Sequence, residues 1–271
     1  MGCVGRKYNP YDFKYDKLNT LIYAFIGFDK NTGDIKTLDS SADTWGLSAA
    51  ARAAKKYPYL KTFLSFGGWT NNSITTAPMF ETLASSQQSM QNFAKQSIEL
   101  MRKLGFNGID IDWEWWSDYG NDVAPSKKML SFFKVLRAEL DKAGKEDGKK
   151  YNLAIAVNGA RSRIEAMENP NNPNSLPDFW KQTGELMDEI NIMNYNYQGA
   201  WGTGMPAYFQ ASAAFPDVSQ YNNKIYTAGK SPTDVQDNVT DTSGNGVTLS
   251  EAIGKDGGWS VQGSVDAYIK A

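Results

Sequence analysis

The sequence predicts an α/β protein built on a parallel sheet, and three observations carry that reading. Short apolar runs alternate with stretches of helical periodicity, which is the pattern of successive βα units. The chain has 271 residues, 41% of them hydrophobic, enough for one large core and a single barrel-sized domain over 1–271. Phe106 to Trp116, FNGIDIDWEWW, is an apolar strand with an acid at every second position.

The elements follow in order. Leu21 to Phe28, LIYAFIGF, is a strand without a charge, and Lys30 to Gly33 is a turn after it. Ser48 to Lys56 reads as a short helix. Lys61 to Phe66 is a second strand that runs into Gly67 and Gly68, where small residues let backbone or ligand approach closely, and then Trp69. A helix opens with Ser85 or Ser86 as its N-cap, places Met90, Phe93, Ala94, Ile98 and Met101 on one face, and stops at Gly105. The acidic strand comes next, then a helix from Pro125-Ser126 to about Gly144. Leu153 to Val157 and Glu189 to Tyr195 are the fourth and fifth strands, with a helix around Phe179 to Met187 between them. Residues 200–263 are polar and far exceed the usual loop length of about 4 to 6 residues, so they read as a functional loop or insertion. Val265 to Lys270 begins a further helix.

In a strand, positions i, i+2 and i+4 share one face, so Asp110, Asp112 and Glu114 project together while Ile109, Ile111, Trp113 and Trp115 take the other. Like charges in a partly buried strand repel and lose hydration. At least one of these acids is therefore expected to hold a proton near neutral pH. The plainer readings are a solvated acidic edge or a hard-cation site. Flanking tryptophans, Trp116 included, argue against a merely solvated face.

Composition narrows the chemistry. Histidine is absent, which excludes a Ser-His-Asp triad, a His-ligated zinc and a His base, leaving acid-base work to carboxylates, Tyr or Lys. Cys3 is the single cysteine, so neither an intrachain disulfide nor a thiolate cluster is available. A formal charge of −2 gives no reason to expect nucleic acid or an anionic membrane as partner. No apolar run reaches the ~20 residues of a membrane span. The opening MGCVGRKYNPYDF has no signal-peptide core, and Arg6 stands where a myristoylation motif needs Ser or Thr. Eight Trp and 14 Tyr suit a surface that stacks on flat neutral polymers such as sugars, although packing must absorb many of them.

Three motifs in register carry a family resemblance. Gly108 to Glu114 resembles the DGxDxDxE signature of family 18 chitinases, with Asn107 at its usual first Asp. Ser65-Phe66-Gly67-Gly68 resembles the family's SxGG motif, and Met193-Asn194-Tyr195-Asn196 its MxYD motif, with Asn196 replacing Asp. The resemblance implies a (β/α)₈ barrel that cleaves β-1,4 links between N-acetylglucosamine units by substrate-assisted retention, with no metal and no cofactor. On that footing Glu114 is the general acid, Asp112 holds the substrate's N-acetyl group, Asp110 shares a proton with Asp112, and Tyr195 orients the N-acetyl carbonyl. Tyr23, Phe25, Ser65, Gly67, Gly68, Trp69, Trp116, Met193, Asn196 and Trp201 are the expected substrate contacts. Chitin or its oligomers are the implied partner, and an extracellular location is implied with it.

Only five of eight barrel strands are legible, corresponding to the second through sixth. The chain therefore reads as an internal portion of a longer protein or one completed by another segment, poorly soluble and nearly inactive alone because open sheet edges invite association. Three rival functions remain: a chitinase-like lectin that binds sugar without turnover, an endo-β-N-acetylglucosaminidase acting on glycoproteins, and a chitinase module of a larger assembly.

Overall fold

The computed structural model describes residues 9–71, 74–115, 125–159, 161–193, 238–240, 246–248, 265 and 268–269. Two 3₁₀ turns, Pro10–Asp12 and Tyr15–Lys17, lead into β1 (Thr20–Phe28), followed by β2 (Ile35–Lys36), α1 (Ser40–Lys56) and β3 (Lys61–Gly67). A small hairpin of β4 (Thr70–Asn71) and β5 (Ile74–Thr75) comes next, then α2 (Ala77–Leu83), α3 (Gln87–Leu104) and β6 (Gly108–Asp112). The remainder comprises α4 (Ser126–Asp147), β7 (Asn152–Asn158), α5 (Arg161–Ala166), α6 (Phe179–Gly184), β8 (Glu189–Met193) and the antiparallel pair β9 (Asn238–Thr240) and β10 (Gly246–Thr248).

Six strands make one sheet in the order β2-β1-β3-β6-β7-β8. β1, β3, β6 and β7 pair in parallel, as the βα alternation requires, while β2 adds a two-residue antiparallel margin on the end of β1. The five strands read from the sequence are β1, β3, β6, β7 and β8. The chain divides into two compact units, one of Met1–Trp115, Pro125–Val157 and Lys181–Asn191, the other of Trp116–Ala124, Asn158–Trp180 and Ile192–Ala271.

In the first unit the register decides which residues share a face. Ser65, Asp110 and Ala154 are partners on β3, β6 and β7, and Gly67 partners Asp112, so these line the inner face. Leu64, Ile109 and Leu153 form the neighbouring row, turned to the helices. That outer face is an aromatic core. Phe66 and Phe28 both meet Phe93 edge-on, Phe93 meets Phe132 at 5.3 Å, and Trp113 stacks on Phe80 at 5.1 Å. Such ring pairs add about 0.5–1.5 kcal/mol each beyond the area they bury. The inner face is polar and curled. Lys61 on β3 pairs with Glu189 on β8, strands that a flat sheet would hold roughly 14 Å apart at three inter-strand spacings.

Several boundaries differ from the sequence expectation, for local reasons. α1 starts at Ser40 rather than Ser48 because Asp39 caps it, accepting from Ser41 N and Ala42 N. Asp43 in its first turn is buried yet satisfied by Leu38 N, Asp39 N and the Tyr23 hydroxyl, so a polar run conceals a helix. α3 keeps its expected ends, with Ser86 as N-cap and Gly105 as left-handed C-cap. α4 continues past Gly144 to Asp147; a Cβ on Gly144 would sit 2.5 Å from Lys149 O, so this glycine serves a close crossing and not a stop. α6 ends at Gly184, one turn short of Met187. Of the polar region 200–263 only β9 and β10 are among the described residues, and 265, 268 and 269 are helical as expected of Val265 to Lys270.

Asn107 explains one departure from the family signature. Its Oδ1 accepts from Thr62 N at 2.8 Å and its Nδ2 donates to Leu60 O at 3.3 Å, while its own carbonyl accepts from Asn152 N. It ties the starts of β3, β6 and β7 together, at the end of the sheet opposite Asp112. A carboxylate there could accept from Thr62 but could not donate to Leu60. Asn107→Ala is expected to lower unfolding stability by about 1–3 kcal/mol, as unpaired buried backbone groups would. Denaturant melts check this, and kcat per folded molecule should stay unchanged.

The sheet's margins leave Ile22 and Ile190 exposed at 38% and 39%, the first on the inner face, the second on the outer. Among the described residues no helix is long and apolar enough to cross a membrane.

Candidate active site

The carboxylates stand at the C-terminal end of β6, where a parallel αβ sheet gathers its loops. Asp110 and Asp112 point from the inner face of the strand and are both buried. The strand is shorter than expected and stops at Asp112. Trp115 N then bonds back to Trp113 O at 3.0 Å, so Glu114 stands in a tight turn just past the strand, half-buried, and not on its third inward position. Its charge still bears on Asp112.

The two strand acids sit in unlike surroundings. Asp110 Oδ2 accepts from Ser65 Oγ at 2.6 Å, and Oδ1 accepts from Asn191 Nδ2 at 3.4 Å. Burial raises its proton affinity above the ordinary carboxylate range, and these two hydrogen bonds oppose that rise without cancelling it. Asp112 Oδ1 is buried with no hydrogen-bond partner among the described residues. Burial first, then the negative charges of Glu114 and Asp110, push Asp112 up to about 8. Proton affinity is thus raised at both carboxyls, by different balances of burial, charge and hydrogen bonding, and the two titrate as a pair. The upward shifts fall on Asp110 and Asp112, whereas the family resemblance gives the donated proton to Glu114.

Gly67 and Gly68 make this packing feasible. Gly67 lies at φ 120°, and a Cβ there would fall 2.0 Å from Asp112 O; Gly68 lies at φ 80°, and a Cβ would fall 2.4 Å from the Phe25 ring. Gly68 N donates to Asp112 O at 3.0 Å, which holds the end of β6 against β3. Phe25 follows a register break in β1 between Tyr23 and Ile26, where the Ala24–Phe25 peptide is cis. Trp69 emerges next, half exposed, and Thr76 N donates to its carbonyl across the β4–β5 hairpin.

Asp110, Asp112, Glu114, Ser65, Gly67, Gly68, Phe25 and Trp69 therefore gather at one strand end. Tyr23 does not join them. It is the register partner of Leu64 on the outer row, its ring lies against Gly46, and its hydroxyl donates to Asp43 at 2.9 Å, so it serves the packing of α1 and not the sugar site. Met193 ends β8, half-buried, and belongs to the second unit. Trp116, Tyr195, Asn196 and Trp201 lie outside the described residues. Sequence reading missed Asn191, although Glu189, Asn191 and Met193 share a face by alternation and a polar residue within EINIM is a signal. No group of three or more metal-ligating acids or cysteines occurs among the described residues.

Residues 4–253 match the family profile of glycosyl hydrolases family 18. The chain belongs to that family. Chitinase 1 of Aphanocladium album is 29% identical over 240 residues, which cover 82% of this chain and 52% of that protein. Among solved structures, chitinase ChiA74 from Bacillus thuringiensis superposes with a TM-score of 0.67 at 22% identity, over 99% of this chain and 44% of its own. The chitinase-like agglutinin RobpsCRA from Robinia pseudoacacia superposes with a TM-score of 0.57 at 24% identity, over 71% of this chain and 53% of its own. The family 18 chain spans about half the length of the curated relatives it matches. Its fold is the (β/α)₈ barrel of that family in incomplete form, with β1, β3, β6, β7 and β8 as the parallel-type strands read from the sequence.

Proposed function

We propose that the protein carrying this chain hydrolyses β-1,4 links between N-acetylglucosamine units of chitin or chitooligosaccharides, with retention and with the substrate's own N-acetyl group as nucleophile. The observation that carries the reading is the unlike pair on β6: Asp110 with a hydrogen bond to each oxygen, beside a buried Asp112 whose Oδ1 has no partner among the described residues, and Glu114 just past the strand.

Glu114, protonated from solvent as bound substrate desolvates it, gives that proton to the glycosidic oxygen as the bond from C1 to that oxygen breaks. The N-acetyl carbonyl oxygen attacks C1 and closes an oxazolinium ring. Asp112 turns its unpaired oxygen to the N-acetyl N–H and stabilises the positive charge, while Asp110 supplies the compensating negative charge behind it. Water, deprotonated by Glu114, then opens the ring and restores both the N-acetyl group and the acid. Tyr195 orients the N-acetyl carbonyl in this scheme. Asn196 keeps hydrogen bonding but lacks the family's charge, so the cationic intermediate has one electrostatic support fewer. Trp69 and Phe25 provide apolar faces for sugar rings, and Trp116, Trp201 and Met193 are further expected substrate contacts.

The exposed Ile22 and Ile190 at the sheet margins support a further part of the proposal: the catalytic domain needs additional strands before it is soluble and active. An extracellular site of action accords with a polymeric substrate that does not enter cells.

A lectin role is the second reading, because an agglutinin shares the fold. Retention of Glu114, Asp112 and Asp110 favours turnover over binding alone. Incubation of the protein as encoded with chitooligosaccharides and, separately, with an N-glycosylated protein decides among these. Short N-acetylglucosamine oligomers should appear from the first and no free glycan from the second. Glycan release alone would mark an endo-β-N-acetylglucosaminidase; oligomer binding without products would mark a lectin.

A further inference from the structure

We propose that Asn191 is a positioning residue of the hydrolase reaction: its side-chain amide keeps the negative charge of the paired aspartates on Asp110 and thereby reserves the proton for Asp112. This rests on the hydrolase reading above.

Asn191 lies on β8, two strands away from Asp110. The residue between them on the inner face is Ala154, the register partner of Asp110 and fully buried. Its methyl group leaves the span open, so the amide crosses it to reach Asp110 Oδ1 at 3.4 Å. From the other side Ser65 Oγ reaches Oδ2 at 2.6 Å. Each oxygen of Asp110 thus receives a donor from a different strand, and the carboxylate is anchored in one layer of the sheet. One layer higher, Asp112 Oδ1 receives none among the described residues.

The chemical type of the donor matters. An amide nitrogen does not titrate, so it donates across the whole working pH range, whereas a lysine or a protonated acid in its place would drop out or add charge. Hydrogen bonds to a carboxylate favour its charged form. The other charged groups bearing on the pair are Glu114 above it and Glu189 below, and Glu189 is itself paired with Lys61. Neither glutamate can donate a hydrogen bond when ionised. Ser65 and Asn191 therefore make the difference between two aspartates that sequence alone renders equivalent.

The test is Asn191→Leu, similar in size but without a donor, assayed in the protein as encoded over pH 4 to 10 on a chitooligosaccharide of fixed length. With the donor gone, the second proton enters the pair more readily. The acid limb of the kcat profile should then move up by about one pH unit, the scale of one charged hydrogen bond, with KM within about twofold. Ser65→Ala should move the same limb the same way, and Asn191→Gln, which keeps an amide, should move it least. An unshifted limb in Asn191→Leu overturns the proposal whatever the loss in kcat. Should Asn191→Leu fail to fold, Asn191→Ala is read by the same criterion. Absence of turnover in the wild type would sink the hydrolase reading instead. Carboxyl infrared titration then decides Asn191: Asp110 must protonate at higher pH in the variant, and an unchanged titration overturns its assigned part.

Discussion

Glu114→Gln is expected to lower kcat on chitooligosaccharides by on the order of 10²–10⁴-fold while leaving oligomer affinity nearly intact. Glutamine copies the shape and polarity of the protonated acid, but its N–H cannot be transferred to the leaving oxygen. In the proposed scheme sugar rings rest on Trp69 and Phe25, neither of which is substituted. Steady-state rates on defined oligomers, beside tryptophan-fluorescence titration with the same oligomers, separate the two quantities. A variant that hydrolyses at the wild-type rate would remove Glu114 from its role. Loss of affinity in parallel with loss of rate would mean that Glu114 organises the cleft and does not act on the bond.

Asp112→Asn should produce two effects of opposite sign. Activity falls by roughly 10²-fold or more, because an amide cannot pass its proton to Asp110 and so bring the pair's negative charge against the oxazolinium. Stability at alkaline pH rises. The Asp112 carboxyl is held up to about 8 in the folded protein, against an ordinary value of 3.8. Between those values the folded state binds a proton that the unfolded chain does not. Its stabilising contribution is therefore full below pH 4, declines as pH rises, and is gone above pH 8, where folding must bury a charge instead. Asparagine cannot ionise and escapes that loss. Thermal melts of both proteins should nearly coincide at pH 5, with the variant melting several degrees higher at pH 9. Parallel pH dependence of the two melting curves would contradict the placement of the proton on Asp112. The trade is a familiar one, in which a site needed for chemistry is destabilising to the fold.

The parts legible in sequence are those with a period. β6 shows its acids at every second residue, and α3 shows Met90, Phe93, Ala94, Ile98 and Met101 on one face between a serine cap and a glycine cap; α3 keeps both boundaries, while β6 ends at Asp112. β2, β4 and β5 have two residues each, too few to show alternation, and α2 is a seven-residue helix behind a proline. Tyr23 went to the wrong face because a register break inside β1 separates it from Phe25, and the pairing with β3 that settles the matter is non-local. Asn191 and Asn107 look alike in sequence, yet one reaches Asp110 in the middle of β6 and the other clamps its base. The distance between Glu114 and the end of the strand was likewise invisible, since a tight turn after Asp112 breaks the alternation on which the expectation of three aligned acids relied.

Infrared difference spectroscopy of the substrate-free protein, with Asp112→Asn as the reference, reads the proton on Asp112 itself. Between pH 5 and 10 the carboxylic acid band lost in that variant should persist through neutrality and convert to carboxylate near pH 8. A band that converts near pH 4 would show Asp112 charged at working pH, and the division of labour between the two aspartates would fall with it.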